Sequence, residues 1–163
     1  MLQFACHTWA FNDLSLTDAL GTIARMGFRY VDIGSGPHLN VAQIAKDPRG
    51  MATKVRDDLT AFNLKLSDLY LMLPRISLED DDQRQKDIDT YNALLPFIVA
   101  LETPGVTLSP GLVHNEDDED AYTRTVESLT EMLEGSRTAT PATHLRVSIE
   151  PHIDSMAQKP ERA

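Results

Sequence analysis

Short apolar runs alternate along the chain with longer stretches whose apolar residues recur at helical spacing. Leu2 to Cys6 reads as a first strand, with His7, Thr8 and Trp9 in the loop behind it. Ser15 then stands as an N-cap, with Asp18 three positions on favouring the positive helix end. Leu16, Ala19, Leu20, Ile23 and Ala24 share one helical face, and Gly27 is a C-terminal stop. Tyr30 to Ile33 is a second strand, broken by Gly34-Ser35-Gly36-Pro37-His38. Asn40 caps a short turn, and a longer helix beginning near Pro48 carries Met51, Ala52, Val55, Leu59 and Phe62 on its apolar side.

Leu66 to Leu73 contains the third strand, stopped at Pro74. Asp80 to Glu102 holds a long helical region with Ile88, Tyr91, Leu94, Leu95, Ile98 and Leu101 inward. Pro96 falls inside it, and an interior proline costs about 3 kcal/mol, so a kink or two helices is expected. Val106 to Ser109 is a fourth strand. Asp117 to Gly135 is a helix, acidic at its start and apolar at Tyr122, Val126, Leu129 and Leu133. A fifth strand runs through Val147 and Ile149, and Pro160-Glu161 resembles the first turn of one more helix.

Strand starts recur every 28 to 40 positions, with a helix between each pair. That spacing implies parallel strands joined by right-handed crossovers, hence an α/β fold. The strands read as apolar runs rather than alternating ones, which suits a parallel sheet covered on both faces. Periodicity does not decide between an open sheet and part of a barrel.

With 163 residues and 42% hydrophobic content, residues 1–163 suit a single domain with a real core. The net charge of −10 argues against nonspecific nucleic-acid binding and against an anionic membrane surface. Much of that charge sits in two runs, Glu79–Asp82 and Glu116–Asp120, each preceding or opening a helix, and they read as solvated caps. Cys6 is the one cysteine, so neither an intrachain disulfide nor a paired-cysteine zinc site is available, in keeping with a reducing cytoplasm. The first residues lack a basic segment, and no apolar run approaches the roughly 20 residues of a membrane span.

The chemistry concentrates in Leu145 to Ser155, LRVSIEPHIDS. Pro151 ends the strand, which leaves Glu150 and His152 at its carboxyl end, where parallel sheets gather their loops. A carboxylate and an imidazole two residues apart suit acid/base work or a metal, and equally a turn and a solvated loop. His7 and Trp9 follow strand one, His38 follows strand two and His114 lies beyond strand four, so all could edge one mouth and hold a substrate. Asp32 and Asp68 sit within strands, where an acid needs a partner. No GxGxxG, P-loop, GxSxG or HExxH motif appears.

The segments FACHTWAF, MGFRYVDIG, KLSDLYLMLPR, GVTLSPG, SIEPHIDS and KPERA, in that order over nearly the whole chain, resemble the sugar phosphate isomerase/epimerase family of xylose isomerase-like TIM barrels. The resemblance implies a (β/α)8 barrel that isomerises or epimerises sugars and polyols with a divalent metal (Mn, Mg, Co or Zn). By position, Glu150 resembles that family's metal-ligating, proton-moving glutamate, and His152 a histidine of the same pocket. Asp154 stands where a glycine often precedes the serine.

About five of eight units are present where a barrel needs about 250 residues, so a partial TIM barrel is expected, as the N-terminal portion of a longer enzyme or a truncated product. Two ligands hold a metal poorly, so weak or absent metal binding by this chain alone is expected. Open strand edges could pair with another copy. A noncatalytic remnant acting as an assembly partner is the alternative; an endonuclease IV-like hydrolase suits the acidic composition less.

Overall fold

A computed structural model of the chain describes residues 3–111, 118–140 and 145–158. Five strands form one sheet in the order β1 (Ala5–His7), β2 (Tyr30–Gly34), β3 (Lys65–Leu71), β4 (Gly105–Leu108) and β5 (Arg146–Ile149). Every neighbouring pair is parallel, with the strands in chain order. Between them run α1 (Leu16–Arg25), α2 (Val41–Ile44), α3 (Pro48–Ala61), α4 (Asp81–Leu101) and α5 (Glu119–Ala139). Crossovers that always advance one strand lay the helices on one face of the sheet. The ladder shifts register between Val31 and Asp32.

The helix starts follow from their caps. Ser15, Asn40, Asp47, Asp80 and Asp118 each accept a backbone N–H three residues on, and Pro48 fills the first turn of α3. The acidic run before α4 is such a cap, with Asp81 and Asp82 in the first turn and Arg84 paired to Asp81. The same holds for Asp118 to Asp120 at α5; Glu116 and Asp117 lie outside the described residues.

Val31, Ile33, Leu69, Leu71, Val106 and Leu108 point to the helices and form one core with Leu20, Ile23, Val55, Leu59, Ile88, Tyr91, Leu94 and Ile98. The alternate positions Asp32, Asp68, Tyr70, Thr107 and Ser148 face the other way. The strands therefore alternate, contrary to the reading of unbroken apolar runs, because only the helix side is lined with hydrocarbon.

Two helices differ from expectation. Helix α4 is one element of 21 residues despite Pro96. Pro96 is exposed, and Leu94, Leu95, Phe97 and Ile98 bury their side chains around it, which offsets the hydrogen bond lost at the Asn92 carbonyl. Helix α5 buries Ala121, Thr125, Ser128, Met132 and Ser136 rather than the Tyr122–Val126–Leu129–Leu133 stripe, and Val126 is exposed. Small side chains let α5 approach α4 closely. Ser136 and Tyr91 share a hydrogen bond of 2.7 Å, Ser128 donates to the Ile76 carbonyl, and a Cβ on Gly135 would meet Asn92 at 2.4 Å. No helix among the described residues is long and apolar enough to cross a membrane.

Candidate functional site

The carboxyl ends of the strands are tied edge to edge by their first loop residues. Thr8 is fully buried and its hydroxyl accepts the Gly34 N–H at 3.1 Å, while Trp9 Nε1 donates to the Ser35 carbonyl at 2.9 Å. Ser35 Oγ accepts the Met72 N–H, Ser109 Oγ accepts the Leu73 N–H, and the Glu150 N–H donates to the Leu108 carbonyl. Each loop thus holds the next, and the rim is a chain of side-chain to backbone bonds. Arg75 and Asp87 fix the loop after β3 from behind: Asp87 is 1% exposed and takes the Arg75 backbone N–H at 2.7 Å and its guanidinium at 2.6 Å.

Inside this rim stand Trp9, His7 and Tyr70, whose rings meet edge to face at centroid separations of 5.1 to 5.8 Å. Gly34 makes the cluster possible. A Cβ there would lie 2.3 Å from Trp9 Nε1 and 3.0 Å from His7 Cε1. Tyr70 reaches across the sheet from β3 and donates its hydroxyl to Glu150 Oε2 at 2.7 Å. Burial pushes the Tyr70 phenol far above its ordinary range, and the Glu150 hydrogen bond and the charges of Glu150 and Asp32 push the same way. Tyr70 therefore stays a donor, and no described residue bonds the other Glu150 oxygen.

One cavity of about 270 Å³ is lined by Trp9, Tyr70, Pro110, Glu150, His152 and Asp154. His152 is exposed, its Nδ1 lying 2.8 Å from the Ile153 carbonyl, and its own carbonyl accepts Ser155 Oγ at 2.6 Å. Asp154 takes the left-handed conformation with φ 60°, so the turn forms although the residue is not glycine. Among the described residues, none lining this cavity is Lys or Arg.

Deeper on the same face, Thr107 donates to Asp68 Oδ2 at 2.6 Å and the Arg146 guanidinium lies 3.8 Å away. Burial raises the Asp68 pKa above the usual carboxylate value, opposed by the Thr107 hydrogen bond. Asp68 thus joins β3, β4 and β5 beneath the mouth. His7 Nδ1 lies 3.3 Å from Asp32 Oδ2, outside hydrogen-bond geometry, so the contact is a close approach.

Of the residues singled out from the sequence, Glu150, His152 and Trp9 share the cavity, with His7 against its Trp9–Tyr70 wall. His38 is elsewhere: it is buried, with Nε2 3.2 Å from the Leu14 carbonyl, and braces the loop before α1. His114 lies outside the described residues. Tyr70, Gly34, Ser35 and Ser109 did not stand out in the sequence, although Tyr70 carries the polar half of the two-residue alternation in Asp68-Leu69-Tyr70-Leu71. The described residues do not fit a metal: they bring no three His, Cys, Asp or Glu side chains into ligating reach, and Glu150 stands with a phenol beside it.

No protein-family model matches the chain, and no curated protein matches it. Solved structures do. The probable 3-DHS dehydratase AsbF of Bacillus anthracis superposes with a TM-score of 0.74 at 15% identity, covering 99% of this chain and 56% of its own. A xylose isomerase-like TIM barrel protein from Mycobacterium smegmatis, in complex with magnesium, gives 0.71 at 15% identity, covering 99% and 60%. A D-psicose 3-epimerase solved in the presence of D-fructose gives 0.68 at 11% identity, covering 91% and 52%. This chain therefore has the fold of the xylose isomerase-like TIM barrels over five β/α units, and it spans little more than half the length of the structures it matches.

Proposed function

We propose that the chain carries the proton-transfer half of a sugar or polyol isomerase or epimerase, with the reaction at the mouth formed by Trp9, Tyr70, Glu150 and His152. The observation that carries this reading is Glu150 at the carboxyl rim of β5, facing a cavity with one oxygen held by a phenol that keeps its proton. A carboxylate so oriented is placed to take a proton from the carbon beside a carbonyl. Tyr70 fixes the carboxylate plane, and Trp9 offers an apolar surface to the C–H face of a sugar ring. His152, at the open side, is placed to hydrogen-bond a substrate hydroxyl and hold the sugar in the mouth. A divalent metal, as in the magnesium complex of the Mycobacterium smegmatis protein, would need ligands from outside the described residues.

The substrate on this reading is neutral. Glu150 and Asp154 line the cavity without a cation among the described residues, and a phosphoryl group there would face like charge. D-Fructose, present with the D-psicose 3-epimerase, is of that class.

Deuterium wash-in tests the reading. A neutral ketohexose incubated with the protein in D2O should exchange the hydrogen beside its carbonyl, followed by proton NMR. Glu150→Gln should slow that exchange by about 10²–10⁴-fold. Equal exchange by wild type and E150Q would remove Glu150 from the reaction.

A further inference from the structure

Against the Trp9–Tyr70 wall of the mouth stands a second pair of titratable groups that the Glu150 chemistry leaves unused. His7 ends β1 and Asp32 lies directly across from it on β2, in the parallel register that pairs the two residues. His7 Nδ1 and Asp32 Oδ1 are both shut off from solvent without a hydrogen-bond partner, and Nδ1 lies 3.3 Å from Asp32 Oδ2. Yet each side chain as a whole remains about one-third exposed, 34% for His7 and 30% for Asp32. The imidazole therefore buries the edge that meets the carboxylate. Its position is fixed by Trp9 and Tyr70 packed edge-on, and by the absence of a side chain at Gly34.

We infer that His7 and Asp32 form an imidazole–carboxylate dyad, in which Asp32 keeps the proton on Nδ1 and presents Nε2 to the mouth as a proton acceptor. A carboxylate behind an imidazole selects that tautomer and stabilises the imidazolium formed when Nε2 is protonated. Such contacts are often poorly aligned before a substrate is bound. Among the described residues, Asp68 and Tyr70 are the other ionisable groups coupled to Asp32. Asp68 is engaged by Thr107 and Tyr70 by Glu150, so neither competes for the imidazole.

For its substrate the inference rests on the polyol-isomerase reading. Glu150 takes the carbon-bound proton, the C–H pair becomes the enediol double bond, and the carbonyl pair moves to oxygen. His7 Nε2 then carries the proton of the neighbouring hydroxyl to that oxygen. Glu150 returns its proton to the former carbonyl carbon, where the double-bond pair forms the new C–H bond, and the lone pair on the deprotonated neighbouring oxygen forms the new carbonyl, so no oxidant or reductant is needed.

The dyad itself is tested without turnover. Long-range nitrogen–proton NMR of the full chain should show neutral His7 with the proton on Nδ1, and Asp32→Asn should move it to Nε2 with the fold and Trp9 emission unchanged. A wild-type His7 protonated on Nε2, or a tautomer indifferent to D32N, overturns the inference. In the exchange assay, His7→Gln and D32N should each cut interconversion of the ketohexose at least tenfold, and the double variant should be no worse than the worse single one. Exchange that depends on Glu150 but interconversion untouched by H7Q overturns the dyad and leaves the isomerase reading standing. An Nδ1 proton together with a wild type that exchanges nothing supports the dyad and overturns the isomerase reading.

Discussion

At Gly34 a single added carbon would stand 2.3 Å from Trp9 Nε1, and the indole could yield only by giving up its bond to the Ser35 carbonyl. Gly34→Ala should therefore destabilise the fold by about 1–3 kcal/mol. It should also shift the emission of Trp9, the one tryptophan of the chain, towards that of exposed indole. Urea unfolding followed by that emission measures both, and an unchanged spectrum would mean that the aromatic cluster does not lean on β2. Asp68 makes the second argument at this scale. Its folded-state pKa is raised above 3.8, chiefly by burial, so the folded chain holds that proton more tightly than the unfolded one. The stability attached to Asp68 is then fully present below 3.8 and is lost as pH rises through the raised value. Compared with Asp68→Asn, the wild-type urea midpoint should fall across the upper carboxylate range. A relative rise would contradict burial as the dominant influence.

At the scale of elements, what could be read from the chain was what one residue type decides alone. Ser15, Asn40 and Pro48 mark helix starts because a cap or an early proline acts locally, and the structure puts them there. Leu94, Leu95 and Ile98 were legible as the inner face of α4 for the same reason. The inner face of α5 was not, because close approach to α4 selects small residues such as Thr125, Ser128 and Ser136, which a hydrophobicity pattern ranks as polar. The candidate site was legible to the same extent: Glu150 and His152, which share the cavity, were marked by the proline between them, whereas Tyr70 was hidden in a run that looked apolar. Asp87 shows the limit from the other side, as a charge inside a helix that reads as surface yet is buried against Arg75. Asp87→Ala leaves that backbone N–H and guanidinium without their acceptor, and should cost about 3 kcal/mol in chemical unfolding. A loss below about 0.5 kcal/mol, the usual range of a surface change, would show that the β3–α4 loop is held otherwise.

On the scale of the whole molecule, five parallel units place every strand's carboxyl end on one rim, and the helix-free face collects what the core cannot hold. That division explains why an acidic, aromatic surface coexists with a hydrocarbon interior in so short a chain. On the proposed reading the mouth should accept a neutral sugar. Trp9 stands against the cavity and is the only indole, so its emission reports occupancy directly. The central measurement is a titration of Trp9 fluorescence in the full chain with a neutral ketohexose and, separately, with its phosphate ester. A saturable change with the neutral sugar, at least tenfold weaker for the ester, is the expected result. No saturable change with the neutral sugar, or tighter binding of the ester, would contradict the assignment of this mouth to a neutral polyol.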